Sequence, residues 1–300
     1  MSMAPLERSA LERVLQPFGK GRLLPGAAYT AEDVLLWERE HFFSGSWVCA
    51  GRADGLGRVG DQRAIRVGQD GILLVRDGES RVRGFFNTCR HRAHELLQVG
   101  ECTNERSVRC PYHGWTYGLD GSLHPAVRTS HAPDFDPSAE GLVPARVEVW
   151  QGFVFVNPDG SAPPLAEWLG DLAPMTAPYP LEGLRVARSH SYELRANWKI
   201  AVENYHECYH CPRIHPELCR VSPPDSGGSF ERAGAWVGGN MELGEGVSTM
   251  SLDGKSHGVF FPGLSEALQR EVSYYGLFPN LLLSNGFFKD GIGKRKVIKT

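Results

Sequence analysis

The sequence lacks three things that would each have set its class. It has no excess of positive charge: 32 Lys and Arg against 35 Asp and Glu leave a formal net charge of −3 and a pI of about 6.4. Nothing electrostatic then calls for nucleic acid or an anionic membrane as partner. It has no continuous apolar segment near its start and no later run of membrane-spanning length, so neither a signal peptide nor a transmembrane helix is expected. It has no patterned set of cysteines; the seven are odd in number and irregularly spaced, unlike the disulfide framework of a secreted domain. Internal repeats and low-complexity segments are also missing. What remains is a globular, cytoplasmic chain of 300 residues, 41% of them apolar, enough for one large core or two ordinary ones.

Apolar residues recur at helical spacing over 9–16 and 30–43, the second with Thr30 three residues ahead of Asp33 as a start signal. From Trp47 onward the pattern shortens. Alternating or apolar runs at 64–67, 71–75, 82–87 and 152–156 are separated by Gly, Asp and Asn, which predicts a small antiparallel β domain. Pro and Gly crowd the stretch after it, with one short helical piece at 164–172. The expected division is N-terminal helices over 1–45, a β domain over 46–160, a connector over 161–180 and a second domain over 181–300.

Inside the β domain stand Cys89-Arg-His91 and Cys110-Pro-Tyr-His113. One Cys and one His from each of two loops match the needs of a Rieske [2Fe–2S] centre, with Cys89 and Cys110 on one iron and His91 and His113 on the other. A structural Cys₂His₂ zinc site uses the same donors. Zinc modules more often take Cys with Cys and His with His, which favours the iron–sulfur reading. Cys49 and Cys102 read as packing residues, and His94, His124 and His131 as surface or loop histidines.

In the second domain, residues 197–216 read N-W-K-I-A-V-E-N-Y-H-E-C-Y-H-C-P-R-I-H-P. A helix ending near Cys211, cut by Pro212, puts Glu203, Glu207 and His210 on one face, with Ile200, Val202 and Tyr209 packing. His215 then enters from the following turn. Two His with a carboxylate suit ferrous iron and oxygen chemistry, although the third ligand is not visible. The same letters offer a rival: His206-Glu207-x-x-His210 spells the H-E-x-x-H of a zinc peptidase. Cys208 and Cys211 mimic a redox C-x-x-C and read as packing residues near the site.

Both constellations, in this order, resemble the α subunit of Rieske non-haem iron oxygenases over about residues 42–284. The resemblance implies an α+β fold: an antiparallel β Rieske [2Fe–2S] domain followed by a helix-grip (START/Bet v1-like) catalytic domain. It also implies a homotrimer, a separate NAD(P)H-dependent reductase carrying flavin and an iron–sulfur centre, O2 as co-substrate, and a mononuclear Fe(II) held by His210 and His215. By the same resemblance Glu207 links the cluster of one subunit to the iron of its neighbour, and Glu203 and Asn204 support the site. The strings at 203–212 and 275–284 look most like the branch acting on quaternary ammonium compounds such as glycine betaine, choline, carnitine and stachydrine. That branch hydroxylates beside nitrogen or removes an N-methyl group. A trimethylammonium group needs aromatic walls, for which Trp236, Phe260, Phe261, Tyr274 and Tyr275 are candidates. Aromatic-ring hydroxylation and a non-catalytic electron-transfer remnant are the alternatives.

The likeness breaks near residue 285. Lysine is scarce before that point (Lys20, Lys199 and Lys255), yet Lys289, Lys294, Lys296 and Lys299 follow within twelve residues. A foreign, frameshifted or fused tail on an incomplete catalytic domain is the expectation. Asp290 is a weak candidate for the missing iron carboxylate.

Overall fold

In the computed structural model two antiparallel sheets meet across a shared core. The described residues are 3–17, 19–124, 134–186, 188–231, 233–251, 253–255 and 263–285, followed by the backbone of three short strands. The N-terminal stretch forms α1 (Arg8–Val14), α2 (Ala27–Thr30) and α3 (Glu32–Glu38), which runs into a wider turn over Arg39–Ser44. The start signal expected at Thr30 is not used. Its hydroxyl donates to the Gly26 carbonyl at 3.1 Å and closes α2, while Ala31 precedes α3 without a side-chain cap.

The alternating runs do form strands. They are β1 (Val48–Arg52), β2 (Asp61–Val67), β3 (Asp70–Arg76), β4 (Val82–Phe86), β5 (Cys102–Asn104), β6 (Val108–Arg109), β7 (Thr116–Tyr117), β8 (Pro144–Trp150) and β9 (Phe153–Asn157). Seven of them make one sheet in the order β1-β9-β8-β4-β3-β2-β5, and β6 pairs with β7 in a separate hairpin. The expected helical piece at 164–172 is two helices, α4 (Leu165–Leu169) and α5 (Leu172–Thr176). Gly170 divides them at φ 57°, where a Cβ would strike the Ala233 carbonyl.

Strand β3 is buried on both sides, unlike a typical antiparallel strand with one solvated face. Ile72 and Leu74 pack with Phe43, Val154 and Trp198, whereas Leu73 and Val75 pack with Phe85, Cys89, Cys110 and Tyr117. At about 1.5–3 kcal/mol for each fully buried large side chain, this strand holds the cysteine loops on one side and the second domain's first helix on the other. Strand β9 works similarly. Val154 and Val156 join the Trp198 cluster, and Phe153 and Phe155 enter a core with Trp47, Trp236, Tyr275 and Leu281.

That last core belongs equally to the second sheet. Its strands are β10 (Gly228–Ser229), β11 (Trp236–Glu242), β12 (Glu271–Leu277) and β13 (Leu281–Asn285); beyond the small pair β14 (Phe287–Phe288) and β15 (Gly291–Ile292), β16 (Arg295–Val297) completes the order β10-β11-β12-β13-β16. Two buried polar devices fasten the sheets together. The Arg52 guanidinium donates to the carbonyls of Gln151, Leu181, Glu182 and Leu184 at 2.7–3.1 Å. The Asn280 amide mimics a strand, accepting from the Cys49 N–H at 2.8 Å and donating to the Cys49 carbonyl at 3.0 Å.

The helix over the second sheet, α6 (Trp198–His206), is capped by Asn197, whose side chain accepts from the Lys199 N–H. It stops five residues short of the expected end: Glu207 is already extended at φ −125°, ψ 149°. Pro212 does not terminate this helix. It lies in the first turn of α7 (Cys211–Ile214), and Pro216 opens α8 (Pro216–Val221), the positions where a missing N–H costs nothing.

Two predictions follow from the packing. Glu38, 4% exposed, accepts from Lys199 Nζ at 2.6 Å and from Trp198 Nε1 at 2.9 Å. Glu38→Ala strands a buried ammonium, so stability should fall by about 3 kcal/mol or more; a urea midpoint equal to wild type would refute the clamp. At the β3–β4 turn, Asp77 accepts from the N–H of Glu79 and Arg81 and from the guanidinium groups of Arg81 and Arg83. Burial works to raise its pKa, but these donors hold it at about 2 instead of 3.8. A depressed carboxylate stabilises above its ordinary pKa and loses that contribution as pH falls toward the folded value. Stability should therefore drop between pH 4 and 2 by less in Asp77→Asn than in wild type.

Candidate functional site

The two cysteine-histidine loops are shaped by their own backbones. The Cys89 N–H donates to the His94 carbonyl at 2.8 Å and the Ala93 N–H to the Cys89 carbonyl at 3.0 Å. In the second loop, the Cys110 N–H donates to the Trp115 carbonyl at 2.7 Å, and the Gly114 N–H returns to Cys110 at 3.1 Å. Gly114 takes φ 74° there, a conformation that suits a residue without Cβ. Both thiols are 2% exposed, and both imidazoles lie at the surface with ring centres 4.7 Å apart. Trp115 stacks on His91.

Electrostatics matches that layout. Burial pushes the Cys110 thiol up, while the amides of Tyr112 and His113 favour the thiolate. Desolvation, together with the positive neighbours His91, Arg92 and His94, pulls His113 down, toward the neutral form that binds metals. Tyr117, fully buried, accepts the Arg90 N–H at 3.0 Å, so its own proton is left for Cys89 Sγ at 3.3 Å. Burial and that sulfur raise its pKa strongly.

At the other site the turn after α6 is organised by Glu207. One carboxylate oxygen accepts the Tyr209 N–H at 2.6 Å, and the other meets His210 Nδ1 at 2.5 Å. The His210 bond, then that N–H, holds the Glu207 pKa low against slight burial. Asn204 Nδ2 lies 3.4 Å from the same Nδ1. The single turn α7 separates His210 from His215, and their rings stand 5.3 Å apart and nearly perpendicular. The two imidazoles do converge, by a route other than a shared helix face.

Several expectations need correcting. Glu203 does not share a face with His210; it accepts from the Tyr29 hydroxyl at 2.6 Å. The H-E-x-x-H helix does not exist, because α6 ends at His206, whose ring turns to the sheet so closely that a Cβ on Gly276 would collide with it. Cys208 and Cys211 are not simple packing residues but are joined in a disulfide. Trp236 and Tyr275 are each 2% exposed in the core between the sheets, and the Trp236 indole donates to Asp171. Tyr274, one residue out of phase, points to the opposite face and meets Tyr205 edge-on. Phe260, Phe261, His131 and Asp290 lie outside the described residues. A cavity of about 350 Å³ opens between α6 and the ends of β11 and β12, lined by Trp198, Glu203, Trp236 and Phe278.

The comparisons with known proteins align with this geometry. One family model, the Rieske [2Fe-2S] domain, matches residues 46–136, and a second, the ring hydroxylating alpha subunit (catalytic domain), matches 181–288. The chain belongs to the Rieske non-haem iron oxygenase α subunits. Among curated relatives of this family, the carnitine monooxygenase oxygenase subunit of Acinetobacter pittii is 38% identical over 194 residues, 64% of this chain and 52% of that protein. The glycine betaine monooxygenase oxygenase subunit of Pseudomonas aeruginosa is 34% identical over 219 residues, 72% of this chain and 51% of that one. The chain thus spans about half the length of the curated relatives it matches. Among solved structures, the quaternary ammonium Rieske monooxygenase CntA superposes with a TM-score of 0.75 at 28% identity, over 89% of this chain and 69% of that one. Naphthalene 1,2-dioxygenase from Rhodococcus sp. gives 0.72 at 25%, over 91% and 68%. The α+β architecture expected from sequence, a Rieske sheet followed by the catalytic domain of this fold, is what the chain has.

The cofactors of these Rieske oxygenase domains are a [2Fe–2S] cluster and a mononuclear iron, and the donors fit the first well. Among the described residues no three His, Cys, Asp or Glu converge as a metal-holding group. A four-donor zinc site requires such convergence, whereas each cluster iron takes only two side chains. Tyr117 was missed in the sequence. Its only signal is a phenol seven residues past Cys110, meaningless until the β6–β7 hairpin folds it back under Cys89. Hydrogen bonds to ligand sulfur raise a cluster's potential. Tyr117→Phe should therefore lower the midpoint potential on the order of 50 mV, about 1 kcal/mol in a one-electron couple; an unchanged potential would show that the phenol does not reach the sulfur.

Proposed function

We propose that this chain is the terminal oxygenase component that hydroxylates or N-demethylates a small quaternary ammonium compound, using O2 and electrons from a separate NAD(P)H-dependent flavin and iron–sulfur reductase. When bound, the cluster supplies single electrons and the mononuclear iron activates dioxygen. Cys89 and Cys110 hold one cluster iron, His91 and His113 the other, and His210 and His215 hold the mononuclear iron.

The observation that carries this reading is the Glu207 carboxylate on His210 Nδ1. It keeps the proton on that nitrogen and leaves the Nε2 lone pair for a metal, as outer carboxylates do for ligating histidines. The Glu207 side chain is 47% exposed, and His91 and His113 are also at the surface. In a homotrimer the exposed side of Glu207 accepts a hydrogen bond from a cluster histidine of the neighbouring copy and so joins the two metal centres. No described helix is long and apolar enough to cross a membrane, and the reading locates the enzyme in the cytoplasm.

The substrate class is supported by relatives named for carnitine, glycine betaine and choline. An onium group offers no hydrogen-bond donor and is held by aromatic faces. Tyr274 against Tyr205, and the Trp198 and Phe278 walls with Glu203 at the cavity rim, supply such faces. Aromatic-ring hydroxylation is the second reading, favoured by the likeness to naphthalene 1,2-dioxygenase. Release of formaldehyde from a betaine-type substrate, with none of the diol expected from an aromatic one, decides between them. Glu207→Gln should leave iron and cluster content intact yet reduce coupled turnover at least about tenfold; full activity in that variant would contradict the link.

A further inference from the structure

Cys208 and Cys211 flank the residue that the site depends on. Their disulfide brings Cα atoms to 5.0 Å and closes the turn that carries His210, between Glu207 and α7. Within the ring Tyr209 is 97% exposed, Cys208 is half-buried and Cys211 is 3% exposed. An external thiol therefore meets the Cys208 sulfur first. The other five cysteines carry free thiols, three of them buried.

Residues 208–210 belong to no helix or strand. Their order rests on the two bonds to Glu207, on the Cys211 N–H to the Cys208 carbonyl at 3.1 Å, and on the covalent closure. Removing that closure returns backbone freedom to Tyr209 and His210, and the two exposed bonds to the Glu207 carboxylate must then hold the turn alone.

We propose that Cys208 and Cys211 form a reversible dithiol–disulfide site, whose bonded form holds the Glu207–His210 turn in register and whose reduction loosens it. The reversibility stands on the cysteines alone; the effect on iron rests on the function proposed above. In the reductive direction a thiolate of an external dithiol attacks Cys208 Sγ, and the S–S bond breaks. Its electron pair goes to Cys211, which takes up a proton. The second thiol of the reductant then displaces Cys208, which is protonated in turn, and the reductant leaves as its own disulfide. Two electrons and two protons reach the chain. The reverse reaction runs with a low-molecular-weight disulfide as oxidant.

The test uses the full chain with iron and cluster loaded, equilibrated with oxidised glutathione or with dithiothreitol under nitrogen, then acid-quenched and alkylated. Mass analysis of the peptide holding both cysteines should show no label in the first sample and two labels in the second, interconverting on exchange of buffer. Competition with a ferrous chelator should show mononuclear iron lost about tenfold more readily from the reduced form. The variant Cys208→Ser/Cys211→Ser should behave as the reduced form in either buffer, with the cluster's paramagnetic spectrum unchanged throughout. A pair that stays labelled in oxidised glutathione, or never opens in dithiothreitol, overturns the redox site. Equal iron retention in both states overturns its coupling to the turn. Protein that binds no mononuclear iron in either state fails the underlying functional reading instead, and the labelling still decides the disulfide.

Discussion

Glu207 takes two bonds from the chain that follows it, the Tyr209 N–H at 2.6 Å and His210 Nδ1 at 2.5 Å, and those bonds decide where α6 stops. A side chain that satisfies nearby backbone and ring donors competes with the helical ladder. Here it succeeds: His206 is the last helical residue, and the chain turns so that His210 and His215 come to face one another across a single helical turn. One carboxylate thereby sets the backbone path, the tautomer of His210 and the exposed negative group between two redox centres.

That turn is useful only if α6 itself is fixed, and the fixing comes from elsewhere in the chain. Trp198 sits among Phe43, Ile72 and Val154, while Glu38 holds both its indole and the neighbouring Lys199. The strand that presses on Trp198 from one face grips Cys89 and Cys110 with the other. Cluster loops and iron helix are thus packed on opposite sides of β3, so a change in the core of the first sheet is felt at both sites. The Arg52 and Asn280 bonds between sheets restrict sliding of one on the other.

Much of this was legible in the letters. Period-two runs gave the strands, and the paired Cys-x-His and Cys-x-x-His spacings carried the cluster donors because a loop of that length has few other uses. What the letters hid were competitions settled by neighbours. Helical periodicity runs through Glu207 without a break, and only the local carboxylate bonds end it. Pro212 and Pro216 read as stops, although proline starts a helix as readily. Trp236, Tyr274 and Tyr275 look alike as aromatics, and strand register alone sends the first and last into the core and Tyr274 to the other face. Tyr117 owes its place to a hairpin, and the Cys208–Cys211 bond to a turn that was expected to be helix.

The account's central claim is that one polypeptide seats a di-iron cluster on four paired donors and a lone iron on the turn beyond α6. Metal and acid-labile sulfide counts on anaerobically reconstituted protein, read with its paramagnetic spectrum after reduction, test it most directly. The account predicts about three irons and about two sulfides per chain, no zinc, and a Rieske-type signal. Stoichiometric zinc without sulfide would contradict it outright, and about two irons would leave a cluster carrier without an oxygen-activating site.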